Sequence, residues 1–178
     1  MAREMKGEGK IKHKNPEGMS TEEIEEVLED TTCHFCPVIP HDCMASLLKY
    51  VNSSTKKFGF VMNTENHNQA GQHWRACFIE NSDKDASIEY YDSLVSHPDA
   101  VFMKGIRDIV YKMRPDHLMK LKWNKRPMQN NSSKHCGEFC VYFITGRYNG
   151  YHYDDLIKFN PISGEKLIKK FMKEYIYV

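Results

Sequence analysis

The chain predicts an α+β fold, a central mixed β-sheet flanked by helices. Its helical patterns come first, short apolar runs cluster between Phe58 and Tyr91, and helical patterns return around one more strand-like stretch. The 178 residues, 40% hydrophobic and 28% charged, suffice for one core and are too apolar for a disordered chain. No internal repeat interrupts this layout. Residues 19–178 are therefore expected to form one domain behind a flexible basic arm at residues 1–18.

The arm is assigned because Gly7, Gly9, Pro16 and Gly18 punctuate a Lys-rich stretch that lacks the apolar surface needed to order itself. Ser20 with Glu23 forms a capping box ahead of Ile24, Val27 and Leu28, which predicts a first helix. Phe35 to Pro40, with two prolines, reads as an irregular loop, after which Asp42 is placed to cap a second helix bearing Met44, Leu47, Leu48 and Val51. Phe58 to Met62, His73 to Ile79 and Ile88 to Tyr91 read as covered strands, the last two separated by a polar turn at Asn81 to Asp85. Pro98 and Asp99 open a helix with Val101, Phe102, Ile106, Ile109, Val110 and Met113 on one face, which Pro115 ends. Leu118 to Trp123 alternates as a strand, and Phe139, Val141, Phe143 and Ile144 form the apolar body of a further helix. The last helix is expected to be capped by Ser163 and to carry Leu167, Ile168, Phe171, Met172 and Tyr175 as its stripe.

With 25 Lys and Arg against 24 Asp and Glu, the molecule has no overall field that would favour nucleic acid or a membrane surface. The basic residues of the arm and the acidic run from Glu17 to Asp30 read as solvated surface. The start MAREMKGEGK has no secretion-signal core, so Cys33, Cys36, Cys43, Cys77, Cys136 and Cys140 are expected to be reduced, in a protein that is not secreted. No apolar run approaches the roughly eighteen residues that span a bilayer, so no membrane association is expected.

Chemistry at a cysteine needs a thiolate, a base to hold the proton, a group to orient that base and donors for the developing oxyanion. Cys136 follows the polar loop Asn130 to Lys134 and opens the apolar helix, which places its sulfur beside unpaired backbone N–H groups and the positive end of the helix dipole. Gly137 next to it leaves room for a bound peptide backbone, making it a candidate substrate-binding residue. His73 starts one strand and Asp92 ends the next, so a hairpin pairing would put a carboxylate beside an imidazole. Gln129 can reach the oxyanion through its side-chain amide, with the Cys136 N–H as second donor.

The ordered set His73-Trp74, Tyr91-Asp92-Ser93-Leu94, Gln129 and His135-Cys136-Gly137-Glu138-Phe139-Cys140 resembles the adenovirus maturation protease and the SUMO and ubiquitin-like proteases, one cysteine-protease clan. It is most similar to the viral branch, that of adenoviruses, virophages and large DNA viruses. The motif similarity covers residues 35–145, and six residues separate Gln129 from Cys136 where the family pattern has about five. The resemblance implies an adenain/Ulp-like fold, with His73 as base, Asp92 as its orienting acid, Cys136 as nucleophile and Gln129 as oxyanion donor. It also implies that Trp74 helps to wall a narrow channel for the glycines that precede the cut, where only residues without Cβ fit. A peptide activator pairing with Cys77 or Cys140 is compatible with the resemblance and required by nothing in the sequence.

Competing readings use fewer of these residues. His135 adjoins Cys136, but chain neighbours rarely face one another usefully, so His73 is preferred as base. Cys33 and Cys36 with His34, His41 and Cys43 suggest zinc, yet the second pair lacks a usual ligand spacing. Lys120, Lys122, Lys125, Arg126 and Lys134 around Trp123 read as a solvated face, with weak nucleic-acid contact as the alternative. The chain is thus expected to be a cysteine endopeptidase that cuts after glycine in capsid or other virion precursor proteins, needing no metal or cofactor. A SUMO or ubiquitin deconjugating protease is the alternative, and a binding module without chemistry the third reading. A monomer in the virion, or in the host cytoplasm or nucleus, is expected.

Overall fold

The computed structural model describes residues 18–82 and 86–176, so the expected arm, Gly18 apart, lies outside the described residues. Five strands form one mixed sheet in the order β1-β2-β3-β4-β5: β1 (Val38–Ile39), β2 (Lys57–Asn63), β3 (Trp74–Glu80), β4 (Ser87–Tyr91) and β5 (Lys120–Trp123). β2, β3 and β4 pair antiparallel, whereas β1 runs parallel to β2 and β5 parallel to β4. A parallel neighbour needs a crossover. The first crossover is a 3₁₀ segment, His41–Tyr50, and the second is α2 (Ala100–Met113); the two pack against each other on one face of the sheet.

That face buries Phe58, Phe60, Met62, Cys77, Ile79 and Tyr90 under Met44, Leu47, Phe102 and Ile106. The alternate residues Val61, Ala76, Phe78 and Tyr91 point to the opposite face, against α1 (Thr21–Thr32), α3 (Cys136–Tyr148) and α5 (Pro161–Phe171). Coverage on both faces is why these strands read as nearly continuous apolar runs. In α3 every residue except Tyr142 and Tyr148 is buried, so the helix has no solvent face and serves as the core of its layer. Its far end is tied to the sheet by Arg147, which donates to both oxygens of buried Glu89 at 2.5 and 3.2 Å. Among the described residues no helix is long and apolar enough to cross a membrane.

The capping box at Ser20 and Glu23 forms as expected, with reciprocal bonds of 3.2 and 2.7 Å. Asp99 likewise caps α2 through Phe102 N, although Val101 is exposed rather than on the buried face. Four local expectations are corrected. The loop at Phe35 to Pro40 contains β1, because Val61 N bonds Pro37 O and draws the segment onto the sheet edge. Asp42 does not cap its helix: Pro40 holds that position, and the Asp42 carboxylate accepts from His67 N at 3.0 Å. The last helix starts three residues earlier than Ser163 suggests, with Asn160 as cap, Pro161 in the first turn and Ser163 completing the box. A short helix, α4 (Tyr153–Leu156), has no counterpart in the sequence reading.

α5 also holds the chain just before α3. Glu165 accepts from Asn130 N at 3.1 Å, and Gly164 lies so close that a Cβ there would sit 2.2 Å from Met128 O. Gly164→Ala would gain helix propensity yet collide with backbone that cannot swing away, and the collision dominates. The variant is expected to lose about 1–3 kcal/mol in urea unfolding.

Candidate active site

The register of β3 on β4 pairs Ala76 with Tyr91. Extended by one position it sets Asp92 opposite Arg75, with His73 two residues further along β3 and on the same face. Thr64 N bonding His73 O at 2.9 Å keeps β3 in line to that point. The result is a bond of 2.7 Å from His73 Nε2–H to Asp92 Oδ1. Cys136, the first residue of α3, is the other ionisable group acting on this ring and raises its pKa. With Nε2 taken by the carboxylate, Nδ1 is the nitrogen left for the thiol.

Asp92 is 1% exposed, and its charge is carried by a tight turn. Leu94 N donates to Oδ1 at 2.8 Å, Ser96 N to Oδ2 at 3.2 Å, and the Ser96 hydroxyl to Oδ2 as well. The turn needs Val95 at φ 65°, left-handed and rare for a β-branched residue, a strain of about 1–3 kcal/mol that its surroundings must offset. Asn124 clamps the Asp92 backbone from both sides, accepting from its N–H at 3.0 Å and donating to its carbonyl at 2.7 Å. Behind the turn, Tyr90 OH meets Ser96 Oγ at 2.9 Å, and Arg75 donates to Tyr90 OH, to Asp99 Oδ2 and to His41 Nδ1.

Burial opposes the charge on both partners of the pair and is outweighed in both. The hydrogen bond and positive charge of His73, with Ser96 and Leu94 N–H, hold the Asp92 carboxyl below its usual range. For His73, the bonds and charges of Asp92 and Cys136 exceed the desolvation and push the imidazole up to about 9. Burial drives the Cys77 and Cys140 thiols well above the ordinary cysteine value and that of Cys36 up to about 11.

Gln129 is oriented by its neighbours. The Ser93 hydroxyl donates to Oε1 at 2.6 Å, Nε2 donates to Ser133 O at 2.7 Å, and Gln129 N bonds Ser93 O. These bonds engage Oε1 and one N–H of Nε2, and the buried Gln129 does not line the groove onto which Cys136 opens. Cys136, 9% exposed, opens onto a groove of about 480 Å³ that Trp74, Met19, Val38, Asn63 and His67 also line. The Trp74 indole N–H is fixed by Met19 O at 3.0 Å. Gly137 does not line this groove: a Cβ there would lie 2.9 Å from Met19 Cβ and 3.3 Å from Ile24 Cδ1, so close helix packing accounts for the glycine. His135 turns to Glu138, 3.2 Å away. The Cys33, Cys36, His34 and His41 grouping that spacing argues against as a zinc site does separate, with Cys36 buried beside Thr32, Cys33 exposed, His34 stacked on Tyr148 and His41 engaged by Arg75.

The model of the Ulp1 protease family, C-terminal catalytic domain, matches residues 41–175. The chain belongs to the Ulp1 protease family. It is 25% identical over 128 residues to the SUMO-1 cysteine protease of African swine fever virus, isolate Pig/Kenya/KEN-50/1950, covering 68% of this chain and 46% of that one. A cysteine protease of the Badajoz 1971 Vero-adapted strain is 24% identical over 110 residues, covering 61% and 40%. The chain thus spans less than half the length of these relatives. The crystal structure of the African swine fever virus protease superposes with a TM-score of 0.69 at 20% identity, covering 94% of this chain and 71% of that one. The C-terminal Ulp1 protease domain in complex with Smt3, the yeast ortholog of SUMO, gives 0.50 at 16%, covering 88% and 80%. These likenesses establish an α+β fold shared with Ulp1 and the African swine fever virus protease.

The sequence alone does not single out Ser93, Ser96, Asn124 and Arg75. Ser93 lies inside the Tyr-Asp-Ser-Leu motif and Ser96 only four residues after Asp92, whereas Asn124 and Arg75 carry no local signal, because their partners lie 32 and 15 residues away. A titration checks the electrostatics of this Ulp1-family site. In Asp92→Asn the His73 pKa is expected to fall from about 9 toward the ordinary value near 6.5, followed by imidazole NMR. Because the folded pKa lies above the unfolded one, this histidine's stabilisation is full below about pH 6.5 and is lost as pH rises through about 9. Urea unfolding across that window should show the decline in wild type and a flatter profile in Asp92→Asn.

Proposed function

We propose that this chain is a cysteine endopeptidase that cuts after glycine in virion precursor proteins of a large DNA virus. The observation that carries the reading is His73 bonded to buried Asp92, with Cys136 at the start of α3 as the other ionisable group acting on the ring. His73 and Cys136 act as an ion pair, with the thiol proton already on His73 Nδ1, and the thiolate attacks the carbonyl carbon after glycine. The electron pair of the C=O bond moves to oxygen, where the Gln129 amide and the Cys136 N–H donate to it. His73 then gives its proton to the leaving amine as the C–N bond breaks, leaving a thioester. Water, deprotonated by the same imidazole, attacks that thioester and returns the thiol. Asp92 stays ionised throughout, fixing the tautomer and stabilising the imidazolium.

Trp74, held by Met19 O beside Cys136, supports a narrow approach that favours glycine before the cut. The viral substrate class is favoured by the African swine fever virus relatives. Deconjugation of a SUMO-like protein is the second reading, because one of those relatives is named a SUMO-1 protease and a solved relative holds Smt3. Both substrates present glycine to the same chemistry. The basic stripe is a proposed weak nucleic-acid contact at most, with Lys122 near Glu89 and Lys125 over the Trp123 ring. We take the working form to be a monomer inside the virion or host cell.

Cys136→Ala is expected to abolish turnover with an unchanged fold by circular dichroism; full activity would overturn the assignment. Gln129→Ala should lower kcat about 10²–10³-fold with little change in KM, the usual effect of removing one oxyanion donor. Substrate class is read with two matched probes, a glycine-containing virion-type peptide and a SUMO C-terminal fusion. Cleavage of the short peptide supports maturation, whereas cleavage that requires the folded SUMO domain supports deconjugation.

A further inference from the structure

A second chemically competent cluster lies at the rim of the same groove. Asp42 and Cys43 open the 3₁₀ segment and His67 comes from the loop after β2, and their carboxylate, thiol and imidazole atoms all lie within 4.8 Å of one another. We propose that these three residues form a zinc-binding site at the mouth of the active-site groove.

The donor set suits that metal. One thiolate, one imidazole and one carboxylate match the sulfur, nitrogen and oxygen ligands of Zn²⁺, while hard cations such as Mg²⁺ and Ca²⁺ seek oxygen alone. Three protein ligands leave a fourth position open to water or to a polar group of a bound chain.

The two segments are already held together. His41 N bonds Glu65 O at 2.9 Å, His67 N donates to Asp42 Oδ1 at 3.0 Å, and His67 Nδ1 meets Asp42 Oδ2 at 2.6 Å. Cys43 Sγ also points to Asp42 Oδ1, 3.7 Å away, from the residue at which the helical backbone breaks (φ −100°, ψ 19°). Little chain therefore needs ordering when the ion binds. Zinc would take the place of two protons: the Cys43 thiol proton passes to water, and the proton that Nδ1 shares with Asp42 moves to Nε2 of the same ring. His67 also lines the groove that Cys136 opens onto, so the ion would add positive charge where a substrate enters.

Because Cys136 and His73 could themselves hold zinc, the test uses Cys136→Ala, in which that thiolate is gone and all three proposed ligands remain. Zinc and cobalt(II) are titrated into this protein, with calorimetry for stoichiometry and near-ultraviolet absorption for thiolate coordination to cobalt. The expected result is one ion per chain with a thiolate-to-cobalt charge-transfer band. Adding Cys43→Ser should abolish the band and weaken zinc binding about tenfold or more, and His67→Ala should weaken it similarly. Asp42 and His67 are exposed but Cys43 is half-buried against the core, so the melting temperature serves as the control for folding. No zinc binding, or binding and a band unaltered by both substitutions, would overturn the proposal and leave Asp42 and His67 as an ordinary surface pair.

Discussion

The antiparallel register between β3 and β4 is the constraint on which the site depends. With Ala76 opposite Tyr91, the residues just past the two strand ends are the ones that meet, and they are His73 and Asp92. A slip of one residue would turn the whole of β3 over, exchanging Ala76 and Phe78 for Cys77 and Ile79 between two unlike cores and turning His73 away from Asp92. Because both faces of the sheet are packed, the hydrophobic pattern that sets the fold also sets the imidazole against the carboxylate.

The third partner reaches this pair by a different route. Cys136 belongs to no strand; its position follows from α3, which is buried along nearly its whole length between the sheet and the outer helices. A helix apolar all round has one place to go in a domain of this size. Tyr91, the residue before Asp92, stacks on Phe143 of α3 with centroids 4.7 Å apart and planes within 7°. Arg147 and Glu89 tie the far end of the same helix to the same strand. Strand β4 thus carries Asp92 at its end while gripping α3 at two points, so Asp92 and Cys136 are held in one body.

Most of the strands and three of the helices were legible because each rests on a local signal: apolar runs for β2 to β4, a capping box for α1, an Asp cap for α2 and an apolar body for α3. The misses share a cause. β1 exists only because β2 offers an edge, Asp42 left its expected cap for His67, and α5 starts at Asn160 because Asn160 forms a capping box with Ser163 itself. At the site, His73, Asp92 and Cys136 stood in ordered motifs, whereas Asn124 and Arg75 act through partners 32 and 15 residues away, a relation that no local pattern encodes.

The stretch from Tyr91 to Ser96 shows how motif and scaffold coincide. Tyr91 holds α3, Asp92 holds His73, Ser93 holds the Gln129 amide, and Leu94 and Ser96 return their N–H groups to Asp92. Six consecutive residues can serve that many partners only if the chain turns sharply, and the left-handed Val95 is where it does so. A relaxed backbone at Val95 would draw Ser96 away from the carboxylate and loosen the carbonyl of Ser93 that anchors Met128 and Gln129. The strain held at one valine therefore keeps the proposed acid and the proposed oxyanion donor in a single rigid unit, a use of backbone energy that loops around reactive groups often make.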